Sequence, residues 1–390
     1  MQLNDIKVNS NGRIVKTPQD YVAFIPNDLP PKIELTWDLV TQNSKADRAL
    51  SELSGITKTL PNPHLLIGPF VKREAVLSSK IEGTRASLSD LFFFEAGGAP
   101  KEHVSDVREV SNYVTAMEFG LQRQEELPMS LRLLREIHEK LMDGVRGNTQ
   151  TPGEFRRSQN WIGPPGCTLM DATYVPPPVV EMNECLGKFE SFLHSHSNVP
   201  PLIRLAMIHY QFEAIHPFLD GNGRIGRLLI TLLLCSEKAI PGPVLYLSAF
   251  FEKHRDEYYH HLLNVSLAGK WNRWIQYFLK AIETQSKEAV QRSHRLLKIQ
   301  TTYRAQVQKA RTSALVPRLI DLLLFSPVIT APFLAKHFKI TQRAAQLNID
   351  KLISTGILKE VTGQLRNRMY VAEEIIAVLE ENSTDNNEPE

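Results

Sequence analysis

One stretch concentrates residue types that can do chemistry: His216-Pro217-Phe218-Leu219-Asp220-Gly221-Asn222-Gly223-Arg224-Ile225-Gly226-Arg227. Apolar helical runs flank it, with Leu202, Leu205, Ala206, Ile208, His209 and Phe212 before and Leu228, Leu229, Ile230, Leu232, Leu233 and Leu234 after. A buried helix-turn-helix has no packing need for a histidine, an acid, an amide and two arginines. Left unpaired inside, each would cost roughly 1–3 kcal/mol. An anionic ligand gives them a reason. Gly221-Asn222-Gly223 lets the backbone come close to a ligand and adopt positive φ. The helix that starts there points its free N–H groups and positive dipole end at the turn. Arg224 and Arg227, three apart, suit bidentate phosphate contact. Asp220 beside a phosphate makes sense as a ligand for a hard cation such as Mg²⁺. His216, with an ordinary pKa near ~6.5, is a candidate general base. Any single member could be a turn or capping residue; the set is hard to explain that way.

These twelve residues match the Fic motif HPFx[DE]GNGRxxR at every defined position, and the chain resembles the Fic/Doc family. The resemblance implies a protein adenylyltransferase that moves AMP from ATP to a Ser, Thr or Tyr hydroxyl of a target protein and of itself. In the phosphate-transferring branch a lysine typically stands where this chain has Gly223, so Gly223 favours AMP transfer. The implied roles are His216 as base, Asp220 as the Mg²⁺ ligand, and Gly221, Asn222, Gly223, Arg224, Ile225, Gly226 and Arg227 around the phosphates.

The elements that must position this turn lie on both sides of it. Residues 64–95 read as helical, with a break at Gly83 and a second helix capped by Ser87 with Asp90 at the third position. Ser78-Ser79-Lys80-Ile81-Glu82-Gly83 matches the inhibitory pattern [ST]xxxE[GN] of the family. The resemblance implies that Glu82 pairs with Arg227 in place of the ATP γ-phosphate, with Ser78 and Gly83 completing the motif. Residues 144–180 are rich in glycine and proline. Within them 155–163 and 172–175 suit two short strands of a hairpin. This resembles the family's flap, with Asn160, Trp161, Ile162 and Gly163 presenting an edge to the target. Tyr258 and Tyr259 are implied to border the adenine pocket, although packing inside a helix is an equal reading for either. Helices are also expected over 103–123, 131–142, 179–196, 200–214 and 271–282; His138 reads as an ordinary helix-face histidine.

The expected fold is mainly α: a Fic-type helical bundle with a short β-hairpin flap and a C-terminal winged-helix domain. The expected units are 1–125, holding the inhibitory helix at about 70–83; 126–283, the catalytic domain; 284–312, a solvated helical linker; 313–372, the winged helix; and 373–390, a polar tail. Residues 1–60 read as an extended arm punctuated by Pro26, Pro30 and Pro31, followed by a short helix over 39–53. The 313–372 segment carries eight basic residues against three acidic ones. Gln342, Arg343 and Gln346 could open a recognition helix, with Arg366 and Arg368 in the wing, so DNA and protein both stand as partners.

A net charge of +2 over 390 residues gives no global pull toward nucleic acid or membrane. Three scattered cysteines, no apolar run of ~18 residues and no signal-peptide core argue for a cytoplasmic chain without a membrane partner. Homodimers are frequent among members with this inhibitor, and that state is left open. Two alternatives stand beside AMP transfer: removal of AMP by the same site, with Glu82 aligning a water, and a DNA-binding regulator dominated by 313–372.

Overall fold

The computed structural model describes residues 11–59, 64–98, 103–145, 151–309, 315–363 and 368–381. Arg366 and the tail beyond residue 381 lie outside them. Helices dominate, in the order α1 (Trp37–Thr59), α2 (His64–Ile81), α3 (Leu88–Glu95), α4 (Val104–Arg123), α5 (Leu131–Leu141), α6 (Val179–His194), α7 (Pro201–Ile215), α8 (Asn222–Ser236), α9 (Ser248–Lys253), α10 (Arg255–Ala268) and α11 (Trp271–Lys309).

The centre is the antiparallel pair α7 and α8, whose apolar sides are buried almost throughout. Both helices are apolar all round because other helices cover them on every side. Helices α4 and α5 pack against α8, and α6, α10 and α11 against α7. A cluster of Phe251, Trp274 and Phe278 stacks around His209 on α7. Local signals set the boundaries. Ser87 and Asp90 form the expected capping box at α3, and Ser130 caps α5. Gly83 takes φ 99° just past α2, and Thr84 N–H returns to the Ser79 carbonyl at 3.2 Å.

The C-terminal unit comprises α12 (Leu315–Phe325), β3 (Val328–Ile329), α13 (Ala331–Phe338), α14 (Gln342–Ser354), β4 (Lys359–Glu360), β5 (Tyr370–Val371) and α15 (Glu373–Glu380). Its strands form one antiparallel sheet in the order β3-β5-β4. Thr330 and Thr341 cap α13 and α14, and Gly356 ends the third helix at φ 77°.

Four expectations need correction. Residues 12–26 are an antiparallel hairpin, β1 (Gly12–Lys16) with β2 (Val22–Pro26), rather than an extended arm. The continuous apolar run Val22-Ala23-Phe24-Ile25 outweighs the prolines, which lie at and beyond the strand end. The 284–312 stretch is no separate solvated linker among its described residues; it continues α11 without a break, and α1 lies along that helix. Residues 373–380 are not polar tail but helix α15, whose Ile375, Ile376, Val378 and Leu379 are buried. The proposed flap holds a single antiparallel bridge, Ile162 to Tyr174, and one 3-10 turn at Leu169–Asp171 instead of two strands.

Candidate active site

The turn between α7 and α8 is shaped by two left-handed residues. His216 closes α7 at φ 50°, ψ 61°, and Gly221 opens α8 at φ 76°. No side chain caps α8, so its first-turn N–H groups have none of the usual side-chain acceptors. A Cβ on Gly221 would stand 3.0 Å from Met142 Sδ and 3.5 Å from His138 Nε2, in a backbone conformation that side chains rarely adopt.

The turn is tied down from inside. Asn222 Oδ1 accepts from Phe218 N–H at 2.8 Å, and its Nδ2 donates to the Phe218 carbonyl at 2.7 Å. Arg156, 1% exposed, donates from Nε to the His216 carbonyl at 3.0 Å and from Nη1 to the Ser158 carbonyl at 3.2 Å. Its backbone N–H reaches the Pro217 carbonyl at 2.8 Å. Asn160 Nδ2 donates to the Phe218 carbonyl at 2.8 Å. Phe218 is fully buried and stacks on His138 at 3.8 Å between ring centroids.

Two buried histidines and the half-buried His216 surround the turn, and their bonding separates them. His138 Nε2–H donates to the Asp220 carbonyl at 3.1 Å, while Nδ1 accepts from Gly153 N–H at 2.9 Å. His209 Nδ1–H donates to the Gly226 carbonyl at 3.1 Å, and its Nε2 accepts from the Tyr258 hydroxyl at 2.8 Å. Both rings are saturated. His216 Nδ1 lies 3.3 Å from the Glu213 carbonyl, which leaves the lone pair on Nε2. Burial, followed by the Arg156 charge, pushes the His216 imidazole down to about 4. At neutral pH the ring is unprotonated and able to accept a proton.

Arg227, in the second turn of α8, is a buried charge with its side chain 1% exposed. Its Nε donates to Ser78 Oγ at 2.9 Å, and its Nη2 donates to the Ser78 carbonyl at 2.9 Å and to Glu82 Oε1 at 2.6 Å. Nη1 is buried with no hydrogen-bond partner among the described residues. Burial alone would raise the Glu82 carboxyl; the Arg227 charge and hydrogen bond outweigh it and hold it below its ordinary value. Arg227 is shifted up, the Glu82 charge prevailing over desolvation. Gly223 is the floor of this contact: a Cβ there would sit 2.3 Å from Glu82 Oε1. Glu82 lies one residue beyond α2 rather than on its last turn.

The expected site residues therefore divide. His216, Gly221, Gly223, Arg227, Ser78 and Glu82 converge, with Gly83 turning the chain beside them. Ile225 is core, and Gly226 makes room for Glu213, whose Oε1 would be 2.2 Å from a Cβ at 226. Asn222 is engaged in holding the turn rather than facing a ligand. Arg224 pairs with the buried Glu109 at 3.2 Å and lies 3.6 Å from Asp220. Tyr258, 1% exposed, follows the packing alternative, while Tyr259 is 38% exposed with the Arg255 guanidinium 5.6 Å over its ring. On the flap, Asn160 is buried inward, whereas Trp161 and Ile162 are exposed and Gly163 lies under Cys167 Sγ. Arg156, Glu109, Glu213, His138 and His209 were not assigned chemistry from the sequence; their partners are far away in the chain, and only the charge of Arg156 inside a glycine- and proline-rich stretch hinted at a buried role.

Asp220 fits a hard cation in one respect. Its carboxylate is 46% exposed, and Oδ1 accepts from Gly221 N–H at 2.6 Å. Among the described residues no group of three His, Cys, Asp or Glu could hold a metal. One carboxylate suits Mg²⁺ when phosphate oxygens supply other ligands.

Sequence comparison reads the same way. The Fic/DOC family N-terminal profile matches residues 40–122 and the Fic/DOC family profile residues 128–234. The chain carries Fic/DOC-family domains. A third profile, an HTH DNA binding domain, matches 316–370. The Fic region is similar to the protein adenylyltransferase Fic of Drosophila willistoni, 32% identical over 164 residues covering 41% of this chain and 29% of that protein. It is also similar to that of Aedes aegypti, 35% identical over 139 residues, 34% of this chain and 24% of that protein. The chain thus spans less than a third of the length of these curated relatives. The fold resembles a Fic family protein from Desulfovibrio desulfuricans G20, with TM-score 0.58 at 19% identity, covering 88% of this chain and 98% of that one. Fic-1 (aa134 - 508) from C. elegans aligns with TM-score 0.51 at 23% identity over 65% of this chain and 73% of that one. Cys167, Cys185 and Cys235 are unpaired, and among the described residues no helix is long and apolar enough to cross a membrane.

Proposed function

We propose that the protein is an autoinhibited adenylyltransferase that moves AMP from ATP to a hydroxyl of a protein, itself included. His216 Nε2 takes the proton of a Ser, Thr or Tyr hydroxyl as that oxygen bonds to the α-phosphorus. The bond from the α-phosphorus to the bridging oxygen breaks, and diphosphate leaves. The uncapped N-terminus of α8, with Gly221 and Gly223 permitting close approach, receives phosphate oxygens. Arg227 takes the γ-phosphate once Glu82 has moved, offering the Nη2 proton that Glu82 held and the unpartnered Nη1 as a fork. Arg224, held by Glu109, contributes charge at the turn more than contact. Asp220 would hold Mg²⁺ together with the phosphates; the ion supplies neutralisation of phosphate charge. Exposed Trp161 and Ile162 on the flap suit an extended target segment, and Tyr259, through its exposed edge, suits the adenine.

The observation that carries this reading is the Glu82–Arg227 pair. A carboxylate just past a separate helix takes one donor of a buried arginine near the start of an uncapped helix, and another donor of that arginine has no partner among the described residues. Such a carboxylate is removable, and a phosphate is its natural replacement. The test is self-labelling with α-³²P-ATP. Glu82→Gly is expected to raise incorporation at least tenfold, because a charge-assisted hydrogen bond is worth about 1.5–3 kcal/mol, and adding His216→Ala abolishes it. No incorporation in Glu82→Gly contradicts the reading. Incubation of an AMP-modified protein with the same pair tests the reverse reaction: loss of AMP removal on Glu82→Gly favours removal as the physiological direction.

We add a second reading for 313–372. The exposed side of α14 carries Gln342, Arg343 and Lys351, and the segment is net basic, which favours DNA contact. Duplex binding that weakens linearly in log salt supports it; binding insensitive to salt removes it.

A further inference from the structure

Helix α2 has two working sides. Ser78 and Glu82, four apart, face Arg227. Gly68 and Lys72, also four apart, face the C-terminal unit. The Phe325 ring at the end of α12 lies so close on Gly68 that a Cβ there would be 2.1 Å from it. The Lys72 ammonium sits 4.5 Å from the Phe325 ring centroid and 5.1 Å from that of Phe92, and pairs with Glu95 at 2.6 Å. Its side chain is only 5% exposed. Further ties bind the same unit to the helices beside α2. Ser89 donates to Glu380 Oε1 from N–H at 3.1 Å and from Oγ at 2.8 Å. The Met369 methyl covers Gly98. Arg292 on α11 donates to the carbonyls of Val378 at 3.0 Å and Glu381 at 2.8 Å.

We infer that the C-terminal unit is the outer half of the clamp that seats the inhibitory helix, with Lys72 and Phe325 as positioning residues acting through α2 on Glu82. The inference rests on the proposed inhibitory role of Glu82 and deepens it. Ten residues of rigid helix, about 15 Å, connect the two contacts, so α2 shifts at both ends or at neither. Withdrawing α2 from Arg227 drags a buried ammonium away from its carboxylate and its two aromatic faces, which is costly for a desolvated charge. Displacing the C-terminal unit removes one of those faces, opens Lys72 to water and frees α2 to slide. A partner that engages the C-terminal unit and moves it thereby reaches the active site without touching it.

The full-length chain tests this with Gly68→Val, which wedges Phe325 outward, Phe325→Ala, which removes the ring, and Phe325→Tyr, which keeps it. Two readouts are taken: self-labelling with α-³²P-ATP, and hydrogen exchange of the backbone amides of 74–86. Gly68→Val and Phe325→Ala are expected to raise labelling about tenfold and to speed exchange in 74–86, while 201–236 keep their protection. Phe325→Tyr stays at the wild-type level, and in a Glu82→Gly background neither activating variant adds more. If Glu82→Gly labels strongly while both interface variants remain at the wild-type rate with unchanged exchange, the clamp is wrong. If Glu82→Gly itself fails to label, the proposed function is wrong, and the exchange of 74–86 alone decides whether the C-terminal unit holds α2.

Discussion

Two helix-turn-helix units in this chain leave the first helix alike and enter the second differently. Helix α7 ends on a left-handed His216 and α13 on a left-handed Lys339, at φ 50° and 54°. After the turn, Thr341 caps α14 by accepting from Ala344 N–H at 3.2 Å, whereas α8 begins at Gly221 with no side-chain cap. A capped helix start satisfies its own donors and serves the fold. The uncapped start, inside a buried turn beside Arg227, keeps its donors for something brought from outside. In this chain Glu82 stands in front of it. The difference separates a turn that satisfies its own donors from the one to which the proposed function brings phosphate.

That contrast can be broken or sharpened by substitution. The largest effect is expected at Arg156, whose guanidinium holds the α7–α8 turn open from below. Arg156→Ala strips hydrogen bonds from several buried carbonyls and is expected to lower stability by about 3 kcal/mol, read as a lower denaturant midpoint, together with loss of labelling in the Glu82→Gly chain. Gly223→Ala comes next. Its methyl meets Arg227 Nη1 as well as Glu82 Oε1 and narrows the approach that phosphate oxygens need, so labelling of the Glu82→Gly chain falls several-fold. On the other unit, Thr341→Ala is expected to cost about 1 kcal/mol by thermal unfolding and to leave labelling of Glu82→Gly unchanged.

The smallest effect is a pH dependence. Burial, lessened by the Arg227 charge and reinforced by that of Glu82, pushes the Glu213 carboxyl up to about 8. A carboxyl raised in the folded state contributes stability fully present below its unfolded value near 4.5, lost as pH rises toward 8. Glu213→Gln removes that dependence, so the variant's Tm falls less than the wild type's between pH 5 and 8. His138 and His209, held down to about 4 and about 3 mainly by burial, titrate oppositely but identically in both chains. Equal Tm slopes would show that Glu213 does not ionise over this range.

The turn itself was legible in the sequence because its information is local: glycines where φ turns positive, arginines three apart, and a histidine closing an apolar helix. The same holds for Gly83 and for the capping box at Ser87. What stayed hidden depends on contacts between distant segments. Nothing near Arg156 announces that it will span from 156 to 216, and nothing near Glu109 that it will face Arg224. The alignment of Phe325 with Gly68 is likewise a product of packing. Two misses were avoidable. Ile375, Ile376, Val378 and Leu379 carry helical spacing within a stretch read as tail, and the apolar run around Phe24 was subordinated to nearby prolines.

The most direct measurement is a crystal structure of the Glu82→Gly chain with ATP and Mg²⁺. The account predicts phosphate oxygens on the first-turn N–H groups of α8 and on the Arg227 guanidinium, with the α-phosphorus facing His216 Nε2. A nucleotide bound elsewhere, with Arg227 still satisfied by Ser78 alone and the α8 N-terminus facing only water, would contradict it.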